Sequence, residues 1–471
     1  MIFSAVDTMI SLSEKESSLK RIILIITLLG CLILGAETAE QTLSLTDSRS
    51  IALQNNSDYQ AQLQAVESAK WAKTQALSSF LPSLSLSAAY LYMDPAQTVT
   101  TGAGSITLNH DFRTFGLSLS QPIFLGGKIW QGYQIAKISF EMAELSLQNQ
   151  KLTLLAEVDN RYLALLQTKS LLEMTEIDYQ SARKNLEIAQ LKFDSSLISK
   201  ADYLKFQSRQ ASKEVSLLQA QAAMQLAQLN LRNYLGIEYM PLPEALEGID
   251  DDPGMLLLDG FDKFKTQEFT TRALARAESG SIPLHLTQRG VELSKRAYQI
   301  SKGSFLPTLM LTGSRQYEEN GIDRWDFTPS NQIMLTASLP ILPQLGNYAA
   351  MRKSRAEYQK TVLSAETASQ GIKLGTEASV LNLVNSAKQV RAAKLALDYT
   401  QQSYEQLQQR YVMNMISSTE LLDAELMLSA ARTSYTNSIY SYLKARAALM
   451  QALNLEDIQT LNEMLISGEN K

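Results

Sequence analysis

Two periodicities alternate along this chain, and each occurs twice. Leu84, Leu86, Ala88, Tyr90 and Tyr92 alternate with Ser83, Ser85, Ser87 and Ala89, the two-residue period of a strand with one apolar face. Phe115, Leu117 and Leu119 alternate with Thr114, Gly116, Ser118 and Ser120 in the same way. With the Gly/Thr-rich stretch 94–109 as its loop, this segment predicts a β-hairpin over 83–121. Strands at 308–317 and 331–339, joined by a loop carrying Asn320, Gly321 and Pro329, predict a second hairpin over 308–339. Strands of about ten residues match a tilted outer-membrane strand, ~9–11 residues, although a soluble sheet can carry the same pattern. Four strands do not close a barrel. Two chains would supply eight, a size that side chains fill, and three would supply twelve around a lumen.

Each hairpin is followed by a long stretch free of proline. No proline lies between Ile123 and Met240 or between Gln344 and Lys471, and no glycine between Tyr133 and Leu235. Both stretches therefore predict very long helices, and Lys128 to Asp194 alone makes ~100 Å of helix. Leu155, Val158, Tyr162 and Leu165, and later Leu204, Ser208, Ala211, Val215, Leu218 and Ala222, follow a spacing of three and four, a coiled-coil seam diluted by small and polar residues. Ser195-Ser196 and Asn414 mark the turns, giving helical hairpins over 128–235 with a tip near 195 and over 347–453 with a tip near 414. A shorter helix precedes each β-hairpin. The first, over 45–79, stops at Phe80-Leu81-Pro82, and its counterpart stops at Phe305-Leu306-Pro307.

The two halves are copies. Leu117-Ser118-Leu119-Ser120-Gln121-Pro122-Ile123 returns as Leu335-Thr336-Ala337-Ser338-Leu339-Pro340-Ile341, and Phe193, Ser199, Asp202 and Leu204 return at the same offset as Tyr411, Ser417, Glu420 and Leu422. Two copies are too few for a solenoid. The unit must pair with itself or with other chains. The repeats span 37–236 and 281–455. Between them, 237–280 carries Pro241, Pro243, Pro253 and an acidic run, a linker with a small appended subdomain; 456–471 is a C-terminal tail.

Length alone, 471 residues, would suggest two or three ordinary domains, and the proline map overrides that prior. The net charge of −5 comes without a basic block, which argues against nucleic acid. Lys20-Arg21 followed by the apolar run 22–34 has the order of a secretory signal, so 1–36 is expected to direct export, with cleavage near Ala36 or Ala39. Cys31 is the only cysteine and excludes an intrachain disulfide. Leu28-Leu29-Gly30-Cys31 is similar to a bacterial lipobox, which would make Cys31 a lipidation site; a cysteine inside an apolar signal core explains the same residues. The two histidines, His110 and His285, have no metal-ligand partners nearby in sequence, and no phosphate loop opens a helix. Neither enzyme chemistry, a metal nor a cofactor is expected.

At Gln121-Pro122-Ile123-Phe124-Leu125-Gly126-Gly127 the chain resembles the TolC family of outer-membrane efflux and secretion proteins, whose strand-to-helix junction carries this element; Pro122, Gly126, Gly127 and Pro340 are the junction residues. The resemblance runs from Leu43 to Leu455. It includes the Phe-Leu-Pro helix ends, Tyr234-Leu235-Gly236 and Ala452-Leu453-Asn454 at the ends of the long hairpins, and the twofold repeat. It implies mixed α and transmembrane β structure: a homotrimer with a twelve-stranded outer-membrane β-barrel, four strands per chain, continued by a long periplasmic α-helical barrel. It also implies a passive exit duct for efflux or type I secretion, surrounded by outer-membrane lipid. The duct would meet a periplasmic adaptor and, through it, an inner-membrane pump.

Carried over residue by residue, Glu420 and Asp423 match the family's acidic pore constriction. Tyr411 and Asp202 match its closing link between neighbouring hairpins, and Ser195, Ser196, Asn414 and Met415 the tips that meet the adaptor. The chain departs from the pattern twice: Ile416 stands where the family has a gate arginine, and Ser196 and Asn414 replace the tip glycines. Read without the resemblance, an acidic pair three apart is a solvated helix face and Tyr411 a packing residue. A periplasmic adaptor would need a lipoyl-like β motif, and a coiled-coil adhesin would not interrupt its helices at parallel places in both halves.

Overall fold

The computed structural model describes residues 43–102, 104–239, 241–244, 252–319, 322–323, 325–341, 344–455 and 457–466. The expected export signal 1–36 and Cys31 lie outside the described residues.

The described residues open with two helices rather than the single one expected over 45–79. Helix α1 (Leu45–Asn55) is capped by Ser44, whose hydroxyl accepts from Asp47 N at 3.0 Å, and α2 (Ser57–Ser78) by Asn56, which is extended and accepts from Tyr59 N at 3.0 Å. The cluster Asn55-Asn56-Ser57-Asp58 breaks the helix because these side chains bond the backbone better at a cap than inside a helix.

A four-stranded antiparallel sheet follows in the order β1 (Ser83–Tyr92), β4 (Asp111–Leu125), β5 (Thr308–Glu319), β6 (Phe327–Ser338), so the two hairpins are neighbours through β4 and β5. Three of these strands exceed the ten residues expected. The loop 94–109 holds a small hairpin of its own, β2 (Thr98–Thr101) with β3 (Gly104–Thr107). The register places Leu84 opposite Leu119, Leu86 opposite Leu117, and Leu311 opposite Leu335 on one face. Ser85 opposite Ser118, Ser314 opposite Gln332, and Thr308 opposite Ser338 lie on the other. The Ser85 and Ser118 hydroxyls meet at 2.6 Å. At the outer end of the apolar face sit Tyr90, Tyr92 and Tyr317, and at the helical end Phe80 and Trp130, all exposed. This is the arrangement of two aromatic girdles about an apolar band.

At the junction β4 loses register with β5 between Pro122 and Phe124, because Pro122 has no N–H for the ladder. Gly126 and Gly127 then turn the chain at φ 62° and 75° into α3 (Lys128–Asp194). A Cβ on Gly126 would lie 2.2 Å from the carbonyl oxygen of Gly303, and one on Gly303 2.3 Å from that of Gly126. Two glycines thus let the first long helix touch the end of α7 (Ile282–Gly303). Pro340 lies just past β6, before α8 (Gln344–Val412), which starts earlier than 347 because nothing in Gln344 to Gly346 stops it.

Helix α3 pairs with α4 (Lys200–Leu235), and α8 with α9 (Ser418–Ala452). In each half a short helix completes the partner of the long one: α2 and α4 lie along α3, and α7 and α9 along α8. The ends are tied alike. Asn55 Nδ2 donates to Leu235 O at 3.2 Å, and Asn454 Nδ2 to Gly280 O at 3.3 Å, while Gly236 and Asn454, equivalent in the repeat, both sit in the left-handed region.

The segment expected as a linker forms α5 (Pro253–Asp259) and α6 (Lys263–Gly280), which pack on α8, and the tail forms α10 (Ile458–Ile466) against them. Met255, Leu258, Phe269, Val380, Leu383 and Leu461 make this the main apolar core. Tyr162 of α3 closes it, its hydroxyl donating to Leu43 O at 2.8 Å and Glu244 O at 2.9 Å. Burial first, and the Glu244 charge second, push this phenol up to about 12.

The seam expected on α4 is displaced from the chain's own packing. Leu204, Val215 and Leu218 are exposed, whereas Phe206, Lys213, Leu231 and Leu235 are buried.

Candidate functional site

The two tips are built from one design. Helix α3 ends in a turn with Ser196 at φ 59°, closed by Ser196 N to Phe193 O at 2.9 Å and Leu197 N to Lys192 O at 2.8 Å. Helix α8 ends with Asn414 at φ 60°, closed by Asn414 N to Tyr411 O at 3.0 Å and Met415 N to Arg410 O at 2.9 Å. These are Schellman ends, in which the left-handed position is ordinarily a glycine. A serine carries more strain at this φ than an asparagine, so Ser196 is the more strained of the two.

The following helices start alike too. Ser199 accepts from Asp202 N at 3.1 Å, and Ser417 from Glu420 N at 3.2 Å. Glu420 completes a capping box by accepting from Ser417 N at 2.9 Å. Asp202 accepts from the Ser199 hydroxyl at 2.8 Å and from Lys205 Nζ at 3.0 Å, and these bonds hold its carboxyl below the usual range. Asp202 and Glu420 are therefore equivalent capping residues. Glu420 and Asp423 are both exposed, on the opposite side of α9 from the buried Leu421, Glu425 and Leu428.

Tyr411 is buried. Its ring packs on Phe206 with centroids 5.7 Å apart, and its hydroxyl lies 3.5 Å from Ser418 Oγ. Burial, with a smaller contribution from the Asp202 charge, raises the phenol's pKa, and the Ser418 contact opposes the shift. Within one chain Tyr411 and Asp202 are not hydrogen-bonded to each other, because Asp202 is engaged at its own cap. Ser195, Ser196, Asn414 and Met415 are all exposed at the two turns.

Above the tips the hairpins are joined by polar layers that periodicity does not single out. Asp178, Asn185 and Lys192 recur every seven residues on α3, all buried. Asp178 accepts from Lys213 of α4 at 2.7 Å, from Arg432 of α9 at 3.0 Å and from the Ser429 hydroxyl, and Arg432 reaches Gln401 of α8 at 2.9 Å. Asn185 Nδ2 donates to Tyr404 Oη of α8 at 3.0 Å and to Glu425 of α9 at 2.9 Å, and Glu425 is paired with Arg209 of α4 at 2.9 Å. Lys192 bonds Tyr411 O and Asn414 Oδ1, with its ammonium 4.2 Å from the Tyr411 ring centre. Its pKa is lowered by burial. The signal is present in the sequence as polar residues at heptad spacing, but a charge on a seam ordinarily reads as an exposed position.

Among the described residues no group of three or more His, Cys, Asp or Glu side chains could hold a metal, and no helix is long and apolar enough to cross a membrane.

The model of the outer membrane efflux protein family matches residues 49–237 and 284–455. The chain is 23% identical over 462 residues to the alkaline protease secretion protein AprF of Pseudomonas aeruginosa, covering 94% of this chain and 91% of that protein. It is 22% identical over 414 residues to the outer membrane protein TolC of Escherichia coli, covering 83% and 78%. The solved CmeC outer membrane channel of Campylobacter jejuni superposes with a TM-score of 0.73 at 17% identity, over 89% of each chain.

Proposed function

The chain belongs to the outer membrane efflux protein family and is an outer-membrane exit duct with a periplasmic extension, and from that premise we propose that three copies close into one passive conduit gated at the hairpin tips. The reading is carried by unpartnered surfaces that complement one another. Strands β1 and β6 each leave one edge of the sheet unpaired, and they run in opposite senses. Strand β6 of one copy then pairs antiparallel with β1 of the next, so the ring closes head to tail and leaves no edge. Twelve strands leave a lumen, lined by the Ser/Thr face, while the apolar face between its aromatic girdles meets lipid. The helices follow the same logic. Val215 and Leu218 on α4 and Leu395 on α8 are exposed at about the same height above the tips, ~25 Å at ~1.5 Å per residue, and cover each other between neighbours.

In this assembly Ser195, Ser196, Asn414 and Met415 lie at the far end of the helices, where an adaptor of an inner-membrane pump docks. Glu420 and Asp423 of three chains then form an acidic constriction that attracts cations. Tyr411 and Asp202 act at the closing point, each through its own tip. The relative AprF, named for protease secretion, supports a protein passenger.

Mass measurement in mild detergent should give a trimer, and photo-cross-linking from position 415 in cells should capture an adaptor. A stable monomer, or mature protein recovered from the soluble periplasm, would overturn the assembly.

A further inference from the structure

Of the three polar layers that join the hairpins, the one at the tip differs in kind. Lys213 and Arg432 share the Asp178 carboxylate, and Arg209 has Glu425. Lys192 is buried as well, yet it bonds no carboxylate among the described residues. Its polar and ring contacts there come from the end of α8 and the turn that follows: the Tyr411 carbonyl, the Asn414 side-chain oxygen and the Tyr411 ring. A carbonyl in the last turn of a helix lies at the negative end of its dipole and lacks a regular helical donor, so it suits an ammonium.

The arrangement is also one-sided. Arg410, at the position of Lys192 in the second copy, is exposed and has no partner among the described residues, and neither has the Ser196 side chain, the counterpart of Asn414. Asn414 occupies a left-handed position that a glycine would hold without strain, and its amide oxygen is what Lys192 binds. Ile416, at the same tip, carries no charge.

We propose that Lys192 and Asn414 form a clip that holds the tip of the second hairpin against the first within each chain. The proposal rests on the reading that the tips are the closing point of the duct. The two upper layers are internally paired and keep the hairpins together there, so the tip is the part that can separate. When it does, the Lys192 ammonium regains water, and this hydration offsets part of the bonding that Tyr411 O and Asn414 Oδ1 had supplied, which keeps closure reversible. Lys192 acts as a positioning residue through Asn414 and the end of α8, without touching the passenger.

The test is single-channel recording of the intact protein in planar bilayers, with oligomer integrity and thermal midpoint checked for every variant. Lys192→Met and Asn414→Gly should each raise the open probability about tenfold, the factor that loss of one charge-assisted hydrogen bond carries. The double variant should open no more than Lys192→Met alone, because that change already removes the Asn414 contact together with the one to Tyr411 O. Lys192→Arg should stay near the parent. Asn414→Gly separates a clip from a structural role, since it relaxes the turn and should leave the thermal midpoint unchanged or higher while the channel opens. If Lys192→Met and Asn414→Gly stay within about twofold of the parent while Glu420→Gln with Asp423→Asn alters selectivity, the tips gate but the clip is wrong. If neither pair of changes has an effect, the closing point lies elsewhere and the clip falls with it.

Discussion

Replacing Asp178 with alanine isolates the uppermost polar layer. The carboxylate is buried and receives Lys213 at 2.7 Å, Arg432 at 3.0 Å and the Ser429 hydroxyl, so its removal leaves two cations facing each other inside the four-helix core. Breaking a buried ion pair costs ~3–5 kcal/mol. The lower end applies here, because Lys213 keeps Ser429 at 2.6 Å and Arg432 keeps Gln401 at 2.9 Å. With an unfolding entropy of ~2.1 cal/mol/K per residue, a chain of this size shifts by about 1 °C per kcal/mol, so Asp178→Ala should lower the midpoint by about 3 °C. Far-UV circular dichroism of the detergent-solubilised protein reads it, since the transition is mainly helical. Adding Lys213→Met should restore roughly half of the loss, because one of the two stranded cations is gone. An unchanged midpoint for Asp178→Ala, or a double variant worse than the single, would refute the argument that the layer holds the hairpins by charge pairing.

Gly303→Ala should reduce the amount of folded protein in the outer membrane more than Gly127→Ala does. The first drives a Cβ to 2.3 Å from the Gly126 carbonyl oxygen, an overpacking cost of ~1–3 kcal/mol, whereas the second meets open space and pays only for its left-handed φ; immunoblots of membrane fractions report it. Ser417→Ala should cost ~1 kcal/mol by removing the cap, while Glu420→Gln keeps the capping box and changes charge alone. Reversal potentials should therefore show cation preference lost in Glu420→Gln with Asp423→Asn at an unchanged midpoint. Tyr162→Phe should flatten the alkaline loss of stability. The folded phenol titrates at about 12, above its unfolded value of ~10, so its contribution is whole below ~10 and lost as pH rises through the folded value. Equal alkaline slopes for Tyr162→Phe and the parent would discard this assignment.

The long helices, the two β-hairpins and the duplication are legible from the chain because each rests on local chemistry. Absence of proline and glycine permits a helix wherever it occurs, alternation of Leu with Ser needs one sheet face and one wet face, and Ser-x-x-Asp or Ser-x-x-Glu starts a helix with its own atoms. The capping of α2 by Asn56 is written in the same local terms, although a single helix over 45–79 overlooks it. Periodicity also locates the seam from Leu204 to Ala222, but a seam states that a face is apolar, not what covers it. Only the packing shows that α3 takes Phe206 and Lys213 and leaves Leu204, Val215 and Leu218 outward.

The contact of Gly126 with Gly303 has a faint mark in the sequence, since the first copy carries Ser78 where the second carries Gly303; its meaning needs two backbones brought together from opposite halves. The layers at Asp178, Asn185 and Lys192 are hidden for a related reason. A buried charge is stable only when its partners are present, and here they come from three other helices distant in sequence. Local propensity and pattern thus determined which elements form and where they end, whereas the pairing of charges, the choice of buried face and the clip at Lys192 were decided by tertiary structure, because each depends on which atoms from remote segments replace the water that a side chain gives up.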